Sequence, residues 1–158
     1  MPLPGMDMSP PNVGAIPGYS ALPPLTIEEL LLDKRNSEIL GDNLRASGSA
    51  KPASGYEAHH IVPSDAGGPA MEVLRARLAA LDVDLNAAAN GVWLPGPKAP
   101  VSATEAYHRR LNNPEYNDAV NRALSEVTSG EQALAALKDI GNQLKDGSFP
   151  GVRPRPKP

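Results

Sequence analysis

The sequence contains no cysteine and only three histidines, and both scarcities narrow the chemistry that the chain can perform. Without cysteine there is no disulfide and no thiolate metal site, so any metal ion must be held by His, Asn, Asp, Glu or water. No apolar run approaches the length of a membrane span, and the N-terminus lacks the basic start and apolar block of a signal peptide. If the protein leaves its cell, we therefore expect it to travel as cargo or as part of a larger chain.

Charge and composition describe one soluble globular domain and exclude little else. The chain has 158 residues and a formal net charge of −3, which does not indicate the basic surface typical of nucleic-acid-binding proteins. A negative net charge does not exclude nucleic-acid binding, because only the charge near a site matters and a bound cation adds positive charge of its own. With one Trp and one Phe, the core must consist mainly of Leu, Ala, Val and Ile.

Proline and glycine are concentrated at the two ends of the chain and predict three segments. Residues 1–25 read as a Pro/Gly-rich arm or linker, residues 26–149 as the folded domain, and residues 150–158 as a basic, Pro-rich tail. The arm is a candidate contact for a secretion-system component or a chaperone, the end of a delivery module, or a cloning remnant.

Local patterns predict a mostly helical α+β domain with one small sheet. Two short apolar strands, Ala58–Val62 and Val92–Leu94, could pair as an antiparallel ribbon with a helical insertion between them. A capping box at Thr26 opens a short helix through about Asp33, and a capping box at Ser102 opens a helix that would carry His108. The remaining predicted helices run from Ser37 to Ala46, from Pro69 to Asp82, from Pro114 after the cap Asn113 to Val127, and from the cap Ser129 towards Gly147. The last of these has an apolar stripe that we expect to be buried, formed by Leu134, Leu137, Ile140 and Leu144.

The adjacent imidazoles of His59 and His60 are the strongest candidate for a chemical site. A strand with two histidines can supply a metal ligand and a general base, because the unperturbed pKa of histidine lies near neutral pH. His108 would add a third imidazole from a helix. The alternative is that His59 and His60 are ordinary strand residues, since neighbouring side chains of a strand point to opposite faces.

Three phrases of the sequence carry a family resemblance. They are Ala58-His59-His60-Ile61-Val62-Pro63, then Asn86-Ala87-Ala88-Ala89-Asn90-Gly91-Val92-Trp93-Leu94-Pro95, then Ala106-Tyr107-His108-Arg109-Arg110-Leu111. In this order, over about Ser37 to Phe149, they closely resemble the AHH family of the HNH, or ββα-metal, endonuclease superfamily. The resemblance implies a two-stranded ribbon and a following helix that clamp one divalent ion, surrounded by additional helices.

The resemblance also implies a role for each polar residue of these phrases. His59 and His108 match metal ligands, His60 matches the general base, and Asn90 matches the asparagine that hydrogen-bonds the imidazole of the base. Asn90-Gly91 is also a strong turn dipeptide, which is a purely structural alternative.

Asn112 is where this chain departs from the family, which often has histidine there. As an amide-oxygen ligand, Asn112 would favour Mg²⁺, with Mn²⁺, Ni²⁺ or Zn²⁺ as alternatives. Asn112 could also lie off the metal or weaken the site.

Several other side chains near these phrases can be interpreted as functional or as purely structural. Arg109, Arg110 and Lys98 could bind substrate phosphates, and the alternative for each is a solvated surface position. Glu57 reads as a solvated strand edge more readily than as a ligand. Tyr116 and Trp93 read as packing residues.

The function that follows from the resemblance is a metal-dependent endonuclease that hydrolyses DNA with little sequence preference. Members of the family are typically toxin domains of bacterial polymorphic toxins, delivered by contact-dependent or type VI secretion. We therefore expect a secreted effector that acts in the target-cell cytoplasm, is held in the producer cytoplasm by a cognate immunity protein, and has no membrane partner.

Three alternatives to the DNA endonuclease remain at this point. The first is a catalytically weak or inactive module that binds nucleic acid or protein, and the second is a ribonuclease that uses His60 without metal. A structural zinc site is disfavoured, because such sites normally need three or four histidine or cysteine ligands.

Overall fold

The computed structural model describes residues 27–64, 67–100 and 104–153. In these residues it contains four α-helices and one two-stranded antiparallel sheet, which confirms the predicted α+β class. The helices are α1 (Ile27–Ala46), α2 (Gly68–Ala80), α3 (Pro114–Leu124) and α4 (Gly130–Asp146), and the strands are β1 (Tyr56–His60) and β2 (Gly91–Pro95).

The chain divides into two units, Met1–Leu31 and Leu32–Pro158. Of the first unit only the start of α1 is described, so the predicted arm at residues 1–25 lies outside the described residues, as does most of the predicted tail. The domain boundaries predicted from the sequence stay predictions. None of the helices in the described part of the chain has both the length and the apolar character that a membrane crossing requires.

Helix α1 corrects the prediction of two separate helices ending at Asp33 and starting at Ser37. The structure has one continuous helix of 20 residues. The predicted connection consists of Lys34, Arg35 and Asn36, none of which is a glycine or proline, so nothing in the backbone forces the helix to stop there.

The ribbon forms as predicted, with somewhat different ends. Strand β1 pairs antiparallel with β2, so that His60 lies opposite Gly91 and Ala58 opposite Trp93. Side chains alternate between the two faces of the ribbon. Trp93 packs with Leu40 and Leu44 of α1, whereas the neighbours of Trp93 in β2 belong to the main core.

The main core lies on the other face of the ribbon and is built mostly from aliphatic residues of α2, α3 and α4. Its fully buried members include Met71, Leu74, Leu78, Leu124, Leu137, Ile140 and Leu144. Leu134 was predicted to extend the buried stripe of α4 but is 40% exposed.

The segment before α3 differs most from its predicted form. The cap residues Ser102 and Ala103 lie outside the described residues. His108 is not in an α-helix but opens a 3-10 turn, His108–Arg110. A new helix starts at Pro114, and the preceding Asn113 is extended, as expected for a residue before proline. The ββα-metal core therefore stays a prediction, while the two-stranded sheet is present.

The described part of the predicted tail packs against α3. The Asn113 side chain caps this helix by accepting a hydrogen bond from the backbone N of Tyr116 at 2.9 Å, and donates from its amide to the carbonyl of Gly151 at 2.9 Å. Gly151 has a φ of +87°, and a Cβ there would meet the backbone N of Tyr116 at 2.5 Å. The close approach of the tail to α3 thus requires glycine.

Candidate active site

A cavity of about 270 Å³ opens where the ribbon ends beside α1 and α3. It brings together four of the residues predicted to hold metal or activate water. The lining consists of Ser37, Ala58, His59, His60, Pro63, Ser64, His108, Arg109, Leu111, Asn112, Tyr116 and Asn117.

His59 and His60 reach this cavity from opposite faces of β1. His59 contacts His108 and Tyr116 on the α3 side, and His60 contacts Asn86, which is itself hydrogen-bonded to α1. Alternation along the strand is therefore retained. Both residues occupy the last two positions of β1, so both imidazoles line the cavity at the end of this strand.

The imidazoles of His59 and His108 are in direct contact in the cavity. Their Nδ1 atoms lie 3.1 Å apart, and their rings meet edge to face with centroids 5.1 Å apart. Burial lowers the pKa of His59 well below its usual value, and electrostatic interaction with the neighbouring imidazoles of His108 and His60 lowers it further. His59 is therefore a neutral imidazole, which is the form that binds metal.

Glu57 stands behind His108 and is held by Arg109. The carboxylate Oε1 of Glu57 lies 3.7 Å from Nε2 of His108, and Oε2 accepts a hydrogen bond from the Arg109 guanidinium at 2.9 Å. Burial alone would raise the pKa of Glu57, but this hydrogen bond and the positive charges around the carboxylate outweigh burial and lower it. Glu57 is thus an ionised partner of His108 and not a solvated strand edge.

Burial lowers the pKa of His108, although the negative charge of Glu57 acts in the opposite direction. At 3.7 Å the Glu57 carboxylate lies beyond hydrogen-bond distance of Nε2 of His108, so it acts on this imidazole through its negative charge.

The imidazole of His60 is held by Asn86. Nε2 of His60 lies 2.7 Å from the side-chain oxygen of Asn86, which can only accept, so Nε2 carries a hydrogen. Asn86 is fixed in turn from α1: its backbone carbonyl accepts from Asn43 at 2.6 Å, and its amide donates to Asn36 at 3.4 Å. This chain of amides orients the imidazole of His60.

Asn90 does not make the hydrogen bond to the base that was expected of it. Its side-chain oxygen accepts from the backbone N of Val62 at 2.9 Å, and its amide donates to the carbonyls of Val62 at 3.0 Å and Leu85 at 2.9 Å. Asn90 is fully buried, and it ties the chain that leaves β1 to the connector that precedes β2. Its side chain satisfies buried backbone groups, and Asn86 occupies the position beside His60.

The donor set of the cavity fits one divalent ion. Two nitrogens that are each about 2.1 Å from the same ion can lie about 3 Å apart, which agrees with the Nδ1 pair of His59 and His108. Asn112, which is exposed, adds an amide to the same lining, and water can complete the coordination. No cluster of three or more His, Asp or Glu side chains suited to metal occurs within the described ranges, so a metal role for the imidazole pair stays a prediction.

The three predicted phosphate-binding residues occupy different places. Arg109 lines the cavity while it binds Glu57, and the exposed Arg110 follows it in the 3-10 turn. Lys98 lies beyond Pro95, the residue opposite Tyr56, and so stands at the end of the ribbon away from His60. Strand β1 alone separates these ends by about 13 Å. A phosphate role for each of the three stays a prediction.

Three residues make contacts at the site that were not predicted from the sequence: Asn86, Tyr116 and Glu57. Asn86 begins the second family phrase, and an asparagine there was the available signal. Tyr116 was taken as packing, and it is 2% exposed, yet its hydroxyl reaches His59. Asn86 is 26 residues from His60, and Tyr116 is 57 residues from His59. Glu57 is 52 residues from Arg109, so all three contacts become visible only in the folded structure.

A comparison of the sequence with models of known protein families identifies a nuclease family. The model of the AHH family, a nuclease family of the HNH/ENDO VII superfamily with conserved AHH, matches residues 40–144. This match covers more than half of the chain and includes the cavity histidines. The protein therefore belongs to the AHH nuclease family, which implies a phosphodiester hydrolase acting on nucleic acid. No curated protein and no solved structure matches the chain.

Proposed function

We propose that the protein is a metal-dependent endonuclease in which His60 is the general base and His59 and His108 hold the divalent ion. The observation that carries this proposal is the convergence in one cavity of the His60 imidazole, oriented by Asn86, and an imidazole pair 3.1 Å apart. A separate base and ion-binding pair are what hydrolysis of a phosphodiester requires.

In the proposed reaction, Nδ1 of His60 takes a proton from water, and the water oxygen attacks the phosphorus. The bond from phosphorus to the 3′ oxygen breaks, and that oxygen takes a proton from solvent. Asn86 keeps Nε2 of His60 protonated, so that Nδ1 remains the basic nitrogen. A divalent ion, when bound, supplies positive charge that stabilises the transition state and the leaving oxygen.

The proposed ligands are the imidazoles of His59 and His108 together with the amide oxygen of Asn112. An amide oxygen favours Mg²⁺, whereas two imidazole nitrogens favour Mn²⁺, Ni²⁺ or Zn²⁺. We propose Mg²⁺ or Mn²⁺ as the working ion, because both are compatible with a mixed set of nitrogen and oxygen ligands.

DNA is the proposed substrate, cut with little sequence preference. Support comes from the family resemblance and from a sequence without a recognisable base-reading motif, so that contacts would be mainly to the backbone. Arg109, Arg110 and Lys98 are the proposed phosphate contacts. We also propose that the protein is a toxin delivered into competitor cells and restrained by an immunity protein in the producer, because this is the typical setting of the family.

A parallel digestion of DNA and RNA tests the substrate. Purified protein is incubated with supercoiled plasmid and with a structured RNA, each with Mg²⁺, Mn²⁺ or EDTA. The proposal predicts nicking of plasmid that requires the ion. Cleavage of RNA alone, or cleavage that persists in EDTA, would contradict the proposed metal-dependent DNA endonuclease and favour a ribonuclease.

A further inference from the structure

The hydroxyl of Tyr116 links His59 to the backbone of the chain that leaves β1. It lies 2.6 Å from the carbonyl oxygen of Ile61 and 2.9 Å from Nε2 of His59. All three groups are buried: Tyr116 is 2% exposed, Ile61 is 0% exposed and His59 is 9% exposed. Water therefore has little access to the hydroxyl, and its hydrogen bonds are made within the protein.

The direction of these two hydrogen bonds follows from the groups involved. A hydroxyl has one hydrogen, and a carbonyl oxygen can only accept, so the hydrogen of Tyr116 is used on Ile61. In the contact with His59 the hydroxyl oxygen must then accept. The donor is Nε2 of His59, which carries the hydrogen, and the lone pair of this neutral ring lies on Nδ1.

We infer that Tyr116 is a positioning residue that holds His59 in the Nε2–H tautomer, so that the lone pair of Nδ1 faces His108. This inference rests on the proposed function, in which Nδ1 of His59 is a metal ligand. The same lone pair can accept a hydrogen from Nδ1 of His108, 3.1 Å away, or bind a cation between the two rings.

A further feature of the structure supports this arrangement. The ring of Tyr116 is fixed in place, because it packs edge to face on Phe149 with centroids 5.5 Å apart, and its backbone N is capped by Asn113.

The first test needs no substitution. In metal-free wild-type protein at neutral pH, the two ring nitrogens of His59 are distinguished by ¹⁵N NMR of a histidine-labelled sample. We expect a protonated Nε2 and an unprotonated Nδ1. A protonated Nδ1 on His59 would overturn the inference, whatever the protein does to nucleic acid.

The second test compares Tyr116→Phe with Tyr56→Phe. Tyr56 also donates a short hydrogen bond, 2.6 Å long, to Glu105, and it does not line the cavity, so the control removes a hydroxyl of the same kind. Calorimetric titration with Ni²⁺ should show binding about 10- to 100-fold weaker for Tyr116→Phe and unchanged for Tyr56→Phe. We also expect the NMR spectrum of Tyr116→Phe to lose the fixed Nε2–H tautomer.

The two tests separate failure of this inference from failure of the proposed function. If Tyr116→Phe binds Ni²⁺ as tightly as wild type and keeps the tautomer, the role of Tyr116 is refuted while metal-dependent cleavage can stand. If wild type neither binds metal nor cuts nucleic acid, the proposed function falls, and the NMR spectrum of wild type still decides which nitrogen Tyr116 engages.

Discussion

The Nδ1 atoms of His59 and His108 face each other at 3.1 Å, although the two residues are 49 positions apart in the sequence. Strand β1 supplies the first imidazole, and the 3-10 turn before α3 supplies the second. A hydrogen or a cation must lie between two such nitrogens, because two lone pairs at this distance repel each other. In the proposed function, the divalent ion therefore lies between these two nitrogens.

Removing either imidazole should abolish tight metal binding. We expect His59→Ala and His108→Ala each to weaken Ni²⁺ binding by at least about 100-fold, because each deletes a ligand outright, whereas loss of a supporting residue costs 10- to 100-fold. Isothermal titration calorimetry measures this directly. Ser37→Ala, in the lining of the same cavity, is the matched control and should bind normally.

The nature of the ligands predicts an order of affinities. Two imidazole nitrogens should bind Ni²⁺ and Zn²⁺ more tightly than Mn²⁺, and Mn²⁺ more tightly than Mg²⁺, following the usual order for divalent ions at nitrogen ligands. Competition titrations against Mn²⁺ give the order. A site that prefers Mg²⁺ to Ni²⁺ would instead indicate oxygen ligands and remove the imidazole pair from the metal.

Glu57 should support metal binding through His108. We expect Glu57→Gln to weaken Ni²⁺ binding by about tenfold, because the negative charge that raises the basicity of His108 is lost. Glu115→Gln is a suitable control, since Glu115 also pairs with an arginine, Arg153, at 3.2 Å. Equal affinities for the two variants would show that the carboxylate beside His108 has no such role.

Asn86 should affect turnover without affecting the metal. We expect Asn86→Ala to lower kcat by about 100-fold, because a base displaced by about 1 Å loses its alignment with water. Ni²⁺ affinity and KM should stay near the wild-type values. Asn36→Ala, one hydrogen bond further from His60, should have a smaller effect in the same direction. A normal kcat for Asn86→Ala would show that His60 needs no partner on Nε2.

Asn90 should matter for stability. We expect Asn90→Ala to lower the free energy of unfolding by about 3 kcal/mol or more, because one backbone N–H and two carbonyls lose their partner in a buried site. Asn113→Ala, which removes a helix cap, should cost about 1 kcal/mol. Urea denaturation compares the two variants, and a smaller loss for Asn90→Ala than for Asn113→Ala would contradict the structural role.

Local patterns in the sequence were sufficient for the ribbon and the caps. Apolar runs bounded by glycine and proline predicted two strands, and the structure pairs them antiparallel. Asn113 and Ser129 were predicted as helix caps and are caps, because a cap depends on residues within one turn. The AHH resemblance was also confirmed, since it is carried by short contiguous phrases.

Tertiary contacts account for the differences from the prediction. A helix containing both His108 and Asn112 was expected from a cap outside the described residues, whereas a 3-10 turn and an extended Asn113 stand there. Asn86, and not Asn90, hydrogen-bonds His60, while the Asn90 amide contacts Val62. Which asparagine reaches His60 is decided by how the connector packs under α1, and no local pattern encodes it.

The role of His60 is measured by comparing the nicking of supercoiled plasmid by wild type and by His60→Ala. With Mg²⁺ or Mn²⁺ present, we expect wild type to nick the plasmid, EDTA to stop it, and His60→Ala to be about 10²- to 10⁴-fold slower while it still binds Ni²⁺. Cutting by His60→Ala at the wild-type rate, or an intact plasmid with wild type and every ion, would contradict the assignment of His60 as the base of a metal-dependent DNA endonuclease.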